Sequence, residues 1–161
     1  MAVLQDQGRI ALARAIAAQP LYLAWGRGLP AWDAAPEAEP TTASALVDEI
    51  GRRLVTAVQY VLPDVAGEIE LPDKTRYTAS ASPTKWLHVR WTFDFGDAAG
   101  EPVRELGIFI GGTVVAGLPP GQRYFTPAQV DQPGDIYNME RIPKFTRNPG
   151  VRQVQEFVLP F

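Results

Sequence analysis

Apolar residues recur along this chain with two different periods. In residues 6–18, Ile10, Ala13 and Ala17 share one face of a 3.6-residue helix, and Leu12 and Ile16 stand four apart on another. Alanine, leucine and arginine there favour helix, and Pro20 ends it at or before Gln19. Leu21-Tyr22-Leu23-Ala24-Trp25 predicts a short strand closed by Gly26 and Gly28. Pro30, Pro36 and Pro40 then make residues 29–40 an extended surface loop. Thr41, Thr42 and Ser44 are candidate N-caps for a short second helix over 43–50. Gly51 would stop that helix, with Arg52 and Arg53 beside its negative end.

From residue 54 the period falls towards two. Strands are expected at 54–62, 67–71, 75–80 and 85–95. The last is the clearest: Leu87, Val89, Trp91, Phe93 and Phe95 alternate with Trp86, His88, Arg90, Thr92 and Asp94. Trp86 and Trp91 therefore point to opposite faces, and one of them leaves the core. A turn over 96–102 and a returning strand over 103–110 form a hairpin; Gly111-Gly112 bends or bulges the chain before 113–116. Residues 117–149 hold six prolines and read as an extended loop, with short strands at 123–125 and 135–137. A final strand covers 151–159.

These elements predict one α+β, mainly β domain over 1–161, with its core in 6–116 and 150–161. An N-terminal helix and a short second helix would pack on an antiparallel sheet or sandwich, with two long Pro-rich loops. Composition sharpens this. With 161 residues the chain is long enough for one core without staples. Its 14 Gly and 15 Pro exceed the usual share and call for many turns. The absence of Cys removes thiolate chemistry and disulfides, and a single His, His88, removes multi-His metal sites within one chain. A net charge of −3 argues against a nucleic-acid footprint. The N-terminus lacks signal-peptide layout and the uncharged run 106–122 is broken by Gly and Pro, so a soluble protein without membrane insertion is expected.

Little of the remaining chemistry assembles into a reaction. No Gly-x-Ser-x-Gly elbow accompanies His88, which reads as a surface or interface imidazole. Asp94, Asp97 and Glu101 surround the hairpin turn. Their spacing is not that of a calcium loop, and acidic residues are common in turns. Residues 107–113 are Gly-rich but lack the Gly-Lys-Ser/Thr of a phosphate loop. Arg123, Arg141, Lys144, Arg147 and Arg152 interleave with Tyr124, Phe125, Tyr137 and Phe145, a composition suited to a protein interface. Trp25 and Trp32 flank the first loop and join that set. Phe157 and Phe161 would pack either within the fold or on a neighbouring chain. The alternative use of Trp25, Trp32 or Trp86 is as a stacking platform in a carbohydrate- or ligand-binding β-sandwich. No cofactor or metal is called for.

One resemblance gives this pattern a context. It rests on Ala24-Trp25-Gly26-Arg27-Gly28, on Thr41-Thr42-Ala43-Ser44-Ala45-Leu46-Val47-Asp48-Glu49-Ile50-Gly51-Arg52-Arg53, and on Val103-Arg104-Glu105-Leu106-Gly107-Ile108-Phe109. In that order, over residues 8–112, these segments resemble bacteriophage tail-fibre attachment proteins (the N-terminal part of tail-collar fibres) and baseplate proteins. The resemblance implies a non-enzymatic structural subunit of the virion tail, made in the host cytoplasm and assembled in several copies. Other tail or baseplate proteins and copies of itself would be its partners. The lack of a long shaft favours an adaptor or baseplate component over the fibre itself. Its long loops would then become ordered against neighbours.

Overall fold

The computed structural model describes residues 1–161. Its residues group into two compact units, each drawn from separate stretches of chain. The first holds 1–19, 55–91 and 154–161; the second holds 20–54 and 92–153. The strands are almost all antiparallel, as expected. No helix of the chain is long and apolar enough to cross a membrane.

The first unit opens with α1 (Asp6–Ala17), whose Ala13 is fully buried. Its five-stranded sheet runs in the order β12-β6-β3-β5-β4. Here β3 is Ala57–Pro63, β4 Ile69–Glu70, β5 Arg76–Ala79, β6 Trp86–Phe93 and β12 Gln153–Pro160. Leu87, Val89 and Trp91 of β6 are buried in alternation, and Trp86 is only half-buried, so one of the two tryptophans does leave the core. Phe157 meets Trp91 edge to face at 6.1 Å, and the Phe161 N–H donates to the Lys85 carbonyl at 2.9 Å. Phe157 thus packs its ring within the chain, and Phe161 is tied to it through its backbone. His88 is not at the surface. Its Nδ1 lies 3.0 Å from Gln59 Nε2 and its Nε2 3.0 Å from Glu156 Oε2, so flanking strands satisfy both ring nitrogens and allow its burial.

The second unit is built on the sheet β11-β7-β1-β2-β9. The strands are β1 (Leu21–Gly26), β2 (Glu49–Leu54), β7 (Pro102–Ile110), β9 (Tyr124–Phe125) and β11 (Asp135–Thr146). A two-stranded ribbon pairs β8 (Thr113–Val114) with β10 (Val130–Gln132). Tyr22, Ala24, Leu46, Phe109 and Phe125 form a core cluster on this sheet, with Val114, Val130, Ile136 and Met139 against it. The central strand β1 is buried along its whole length, which explains its continuous apolar run.

Two expectations fail here for identifiable reasons. Residues 43–50 are not helical. Leu46 turns into the core, Asp48 takes a left-handed φ of 56°, and Glu49–Leu54 pairs with β1 from Gly26 to Tyr22. An eight-residue helix is marginal alone, and a whole ladder with β1 outweighs it. Gly51 serves the sheet instead: a Cβ there would stand 2.4 Å from Tyr124 Oη. Arg52 and Arg53 are strand residues, not helix-end charges. Likewise, 117–149 is not one extended loop, for the twelve-residue β11 lies inside it. Register shifts between Ile136 and Asn138 and between Arg141 and Phe145 absorb the residues that break alternation, including Pro143.

The predicted strand over 54–62 is also two strands in different sheets, β2 ending at Leu54 and β3 starting at Ala57. The Gly111-Gly112 bend is present, with φ of 73° and 90°.

Candidate functional site

The first Pro-rich loop is held in place by its own chain. At Gly28, φ is +60° and a Cβ would stand 2.4 Å from the Trp32 ring, so only glycine lets the chain fold back this tightly. The turn of 3-10 helix Pro30–Asp33 follows, with Pro at its start. Arg104, from the middle of β7, holds Asp33 with both arms of its guanidinium, at 2.8 and 2.9 Å, and donates to the Arg27 carbonyl at 3.0 Å. That bond keeps the Asp33 carboxyl below its ordinary value.

Arg141, on β11, holds the second half of the loop. Its guanidinium lies 4.1 Å over the Trp32 ring, and its Nη1 donates to the Ala38 carbonyl at 2.9 Å and to Glu37 at 3.3 Å. Its backbone N–H donates to Glu39 Oε1 at 2.9 Å, which lowers the Glu39 pKa. Beneath it lies Glu105 of β7, fully buried. Glu105 Oε2 accepts the Val47 N–H at 2.7 Å, while Oε1 stands 3.5 Å from Arg141 Nε without a well-formed hydrogen bond. Burial raises the Glu105 pKa, against the opposing pull of the Val47 N–H and Arg141. The expectation that this loop awaits a neighbour for its order is therefore corrected: Asp33, Glu37 and Glu39 bind it to Arg104 and Arg141.

Between the loop and β11 runs a cleft of about 590 Å³, walled by Trp32, Pro36, Glu37, Glu39, Arg141 and Pro143 among others. Glu39 also borders a second hollow of about 370 Å³, between residues 40–43 and the start of β11. The pair follow the outer edge of β11. Proline rings, an indole edge and paired charges line the cleft. Its charged groups are already neutralised by one another.

The carboxylates of the hairpin turn are occupied in the same way. Arg53 donates to Asp97 at 2.5 Å and to Asp94 at 2.9 Å, and Asp97 also accepts the Asp94 N–H at 2.8 Å. Arg152 reaches Asp94 at 2.9 Å, Arg27 reaches Glu101 at 2.7 Å, and these bonds lower both carboxyl pKa values. Arg147 is completely buried. It donates to the carbonyls of Asp94 and Val151, each at 2.7 Å, and to that of Asn148.

The remaining candidates divide between core and surface. Trp25 is 0% exposed, stacked 3.6 Å from Phe93 and edge-on to Phe145 at 5.7 Å, so it has no face left for a sugar. Phe125 is buried against Tyr22, and burial pushes the Tyr124 hydroxyl up to about 12. Trp32 is buried under Arg141, and Lys85 lies 4.9 Å over the half-buried Trp86. Arg123, Tyr137, Lys144 and Arg152 are the exposed members. The structure thus brings Trp32 and Arg141 together and leaves Phe157 and Phe161 in the other unit. Arg104, Glu105 and Asp33 were missed as site residues. Their signal was a pair of opposite charges, Arg104-Glu105, inside an otherwise apolar strand, with no alternating place to put both.

A search of the curated proteins finds no match. A family model described as "baseplate wedge 3 tail fiber network component" matches residues 1–161, the whole of the sequence. The resemblance read from the segments at 24–28, 41–53 and 103–109 is thereby confirmed, and Arg104 of the last segment holds Asp33 beside the cleft. The chain belongs to the baseplate wedge 3 tail fibre network family, the structural components of the bacteriophage tail baseplate.

Proposed function

We propose that the chain is a non-enzymatic subunit, present in several copies, that holds a fibre, a spike or a neighbouring ring protein at the baseplate. The family match over residues 1–161 carries this reading. The side-chain chemistry supports it. Asp94, Asp97 and Glu101, the acids that a hydrolase would need free, are each engaged by arginine. The cleft beside Trp32 is braced by ion pairs from both walls, a rigid relief suited to a protein partner. Its partners are other tail and baseplate proteins and copies of itself. Nucleic acid and membrane are not among them: the net charge is −3, and Arg141, Arg147 and Arg152 are committed to acceptors within the chain. Made in the host cytoplasm, it acts in the virion.

Imaging of purified tails tests the placement. Density for this chain at the baseplate is expected, and its absence from assembled particles overturns the reading. A cell-wall zymogram tests the non-enzymatic part. No clearing is expected; clearing by the purified chain that disappears in Asp94→Asn would overturn it.

A further inference from the structure

Both walls of the cleft beside Trp32 belong to the second unit. The wall made by residues 36–45 is held differently from its two ends. At one end Trp32 is buried and Arg104 grips Asp33; at the other Leu46 is buried and Glu105 Oε2 accepts the Val47 N–H. None of residues 36–45 between them is buried. Glu37, Ala38 and Glu39 are tied instead through polar bonds to one residue, Arg141. Spaces of about 590 and 370 Å³ remain between this segment and β11, so little apolar packing holds it down. Arg141 also has a second acceptor within reach. Glu105 Oε1 is buried without a hydrogen bond and stands 3.5 Å from Arg141 Nε, which is itself unpaired. The strand beneath is in order to take a guest. Over 138–141, between its two register shifts, β11 stays in step with β7 from Ile108 to Glu105. The Arg141 N–H donates to Glu39 and so points outward, and in an antiparallel ladder the N–H of Met139 points the same way.

We infer that residues 36–45 are a displaceable strap, and that an extended acidic segment of a partner protein replaces it along 138–141 at the outer edge of β11. The strap itself shows what fits. The Glu39 carboxylate takes the outward N–H of Arg141, the Ala38 carbonyl takes its guanidinium, and Glu37 supplies a second carboxylate two residues from the first. Lys144, half-exposed in the same cleft, adds a further positive charge. The occupant is therefore an extended stretch with two carboxylates one residue apart. Its main chain bonds the outward groups of Met139, as an added strand does, and its carboxylates take over Arg141. It does not lie on top of the strap, because Glu37 and Glu39 would face its own carboxylates. Displacement removes that repulsion, returns conformational freedom to the strap and lets Arg141 Nε close on Glu105. The end at Asp33 stays fixed by Arg104 throughout. This deepens the protein-partner reading above and rests on it.

A fluorescent peptide with the strap's own sequence, residues 36–42, titrated against the full chain tests it. The double variant Glu37→Gln/Glu39→Gln, which loosens the strap, is expected to bind the peptide about tenfold more tightly than the unaltered chain, because its open form is more populated. A peptide with Gln at both acidic positions is expected to bind about tenfold less tightly or worse. Arg141→Lys keeps the charge but not the planar fork, and is expected to weaken binding of the acidic peptide. With peptide bound, hydrogen exchange is expected to slow in 138–141 and to quicken in 36–45. No binding to the double variant up to about 1 mM, or binding that leaves exchange in 36–45 unchanged, overturns the inference even if Arg141→Lys fails to fold. So does a single-stranded oligonucleotide that binds the double variant more tightly than the peptide does. Tail imaging that lacks the chain overturns the baseplate placement, whereas the titration is read on the purified chain independently of it.

Discussion

The sheet of β11-β7-β1-β2-β9 buries Arg52, Arg53, Arg104 and Glu105, and Asp97 and Arg147 are buried in the same unit. The sheet of β12-β6-β3-β5-β4 has only Thr84 and His88 as buried polar residues in its unit. The difference follows the connections. In the β12 unit the turns close themselves through neighbours in sequence: Asp64 accepts the Ala66 N–H at 2.9 Å and Asp73 the Thr75 N–H at 3.0 Å. In the β11 unit the connections over 27–48, 94–101 and 147–152 are long and have no core of their own. Guanidinium groups sent out from the sheet hold them instead, as Arg104 holds Asp33 and Arg53 holds Asp94 and Asp97. Arginine suits this work because its planar fork can serve several acceptors at once. The turns of one unit are thus closed by local bonds, whereas the connections of the other are also held by arginine bonds that reach residues 41 to 104 positions away.

The largest test of this contrast is Arg147→Ala. It leaves several carbonyls without a donor inside the unit and is expected to cost about 3–5 kcal/mol in urea unfolding. Asp6→Ala in the other unit removes only an exposed pair with Lys85, and the unfolding midpoint should not move. Equal effects would abolish the distinction. Gly51→Ala is next. The added methyl meets the Tyr124 ring and the Phe125 carbonyl, and a loss of about 1–3 kcal/mol is expected. A neutral result would show that β9 is free to move off β2.

Glu105 tests the electrostatics. Its folded pKa is raised by burial, so between its ordinary value of 4.5 and the raised one the folded chain binds more protons than the unfolded chain. Its contribution to stability therefore falls as pH rises through that window. Asp33, with a lowered pKa, has the opposite sign: its contribution is present above 3.8 and is lost as pH falls through the lowered folded value. Glu105→Gln should flatten the first slope in a pH series of urea midpoints and leave the acid limb in place. The smallest effect belongs to Glu39→Ala. It should leave global unfolding unchanged and speed exchange of the Arg141 amide about tenfold, by removing its acceptor. If exchange spreads along all of β11, Glu39 holds the whole edge rather than one bond.

What was readable in the chain divides along the same line as its stabilising bonds. Where a residue's role depends on near neighbours, the pattern sufficed. Helix α1, the fully apolar β1, the alternation of Leu87, Val89 and Trp91, and the Gly111-Gly112 bend all follow from spacing. So did the family, because the segments at 24–28, 41–53 and 103–109 keep their residues in order along the chain. Where a residue's role depends on a distant partner, the pattern misled. Residues 43–50 have helix-forming side chains, yet 49–54 is claimed by the open edge of β1. Asn138 and Pro143 argue against a strand, yet β7 supplies a ladder that tolerates two irregularities. Trp32 and Arg141 could be singled out by residue type alone. The cleft between them was not, because Gly28, Asp33, Arg104 and Glu105, which brace its walls, come from two segments far apart in the chain. Composition and local periodicity alone set the β-rich class, the lone histidine and the absence of thiol chemistry. Only the tertiary structure decided which charges go inside, since burying an arginine is tolerable only when acceptors from remote segments converge on it.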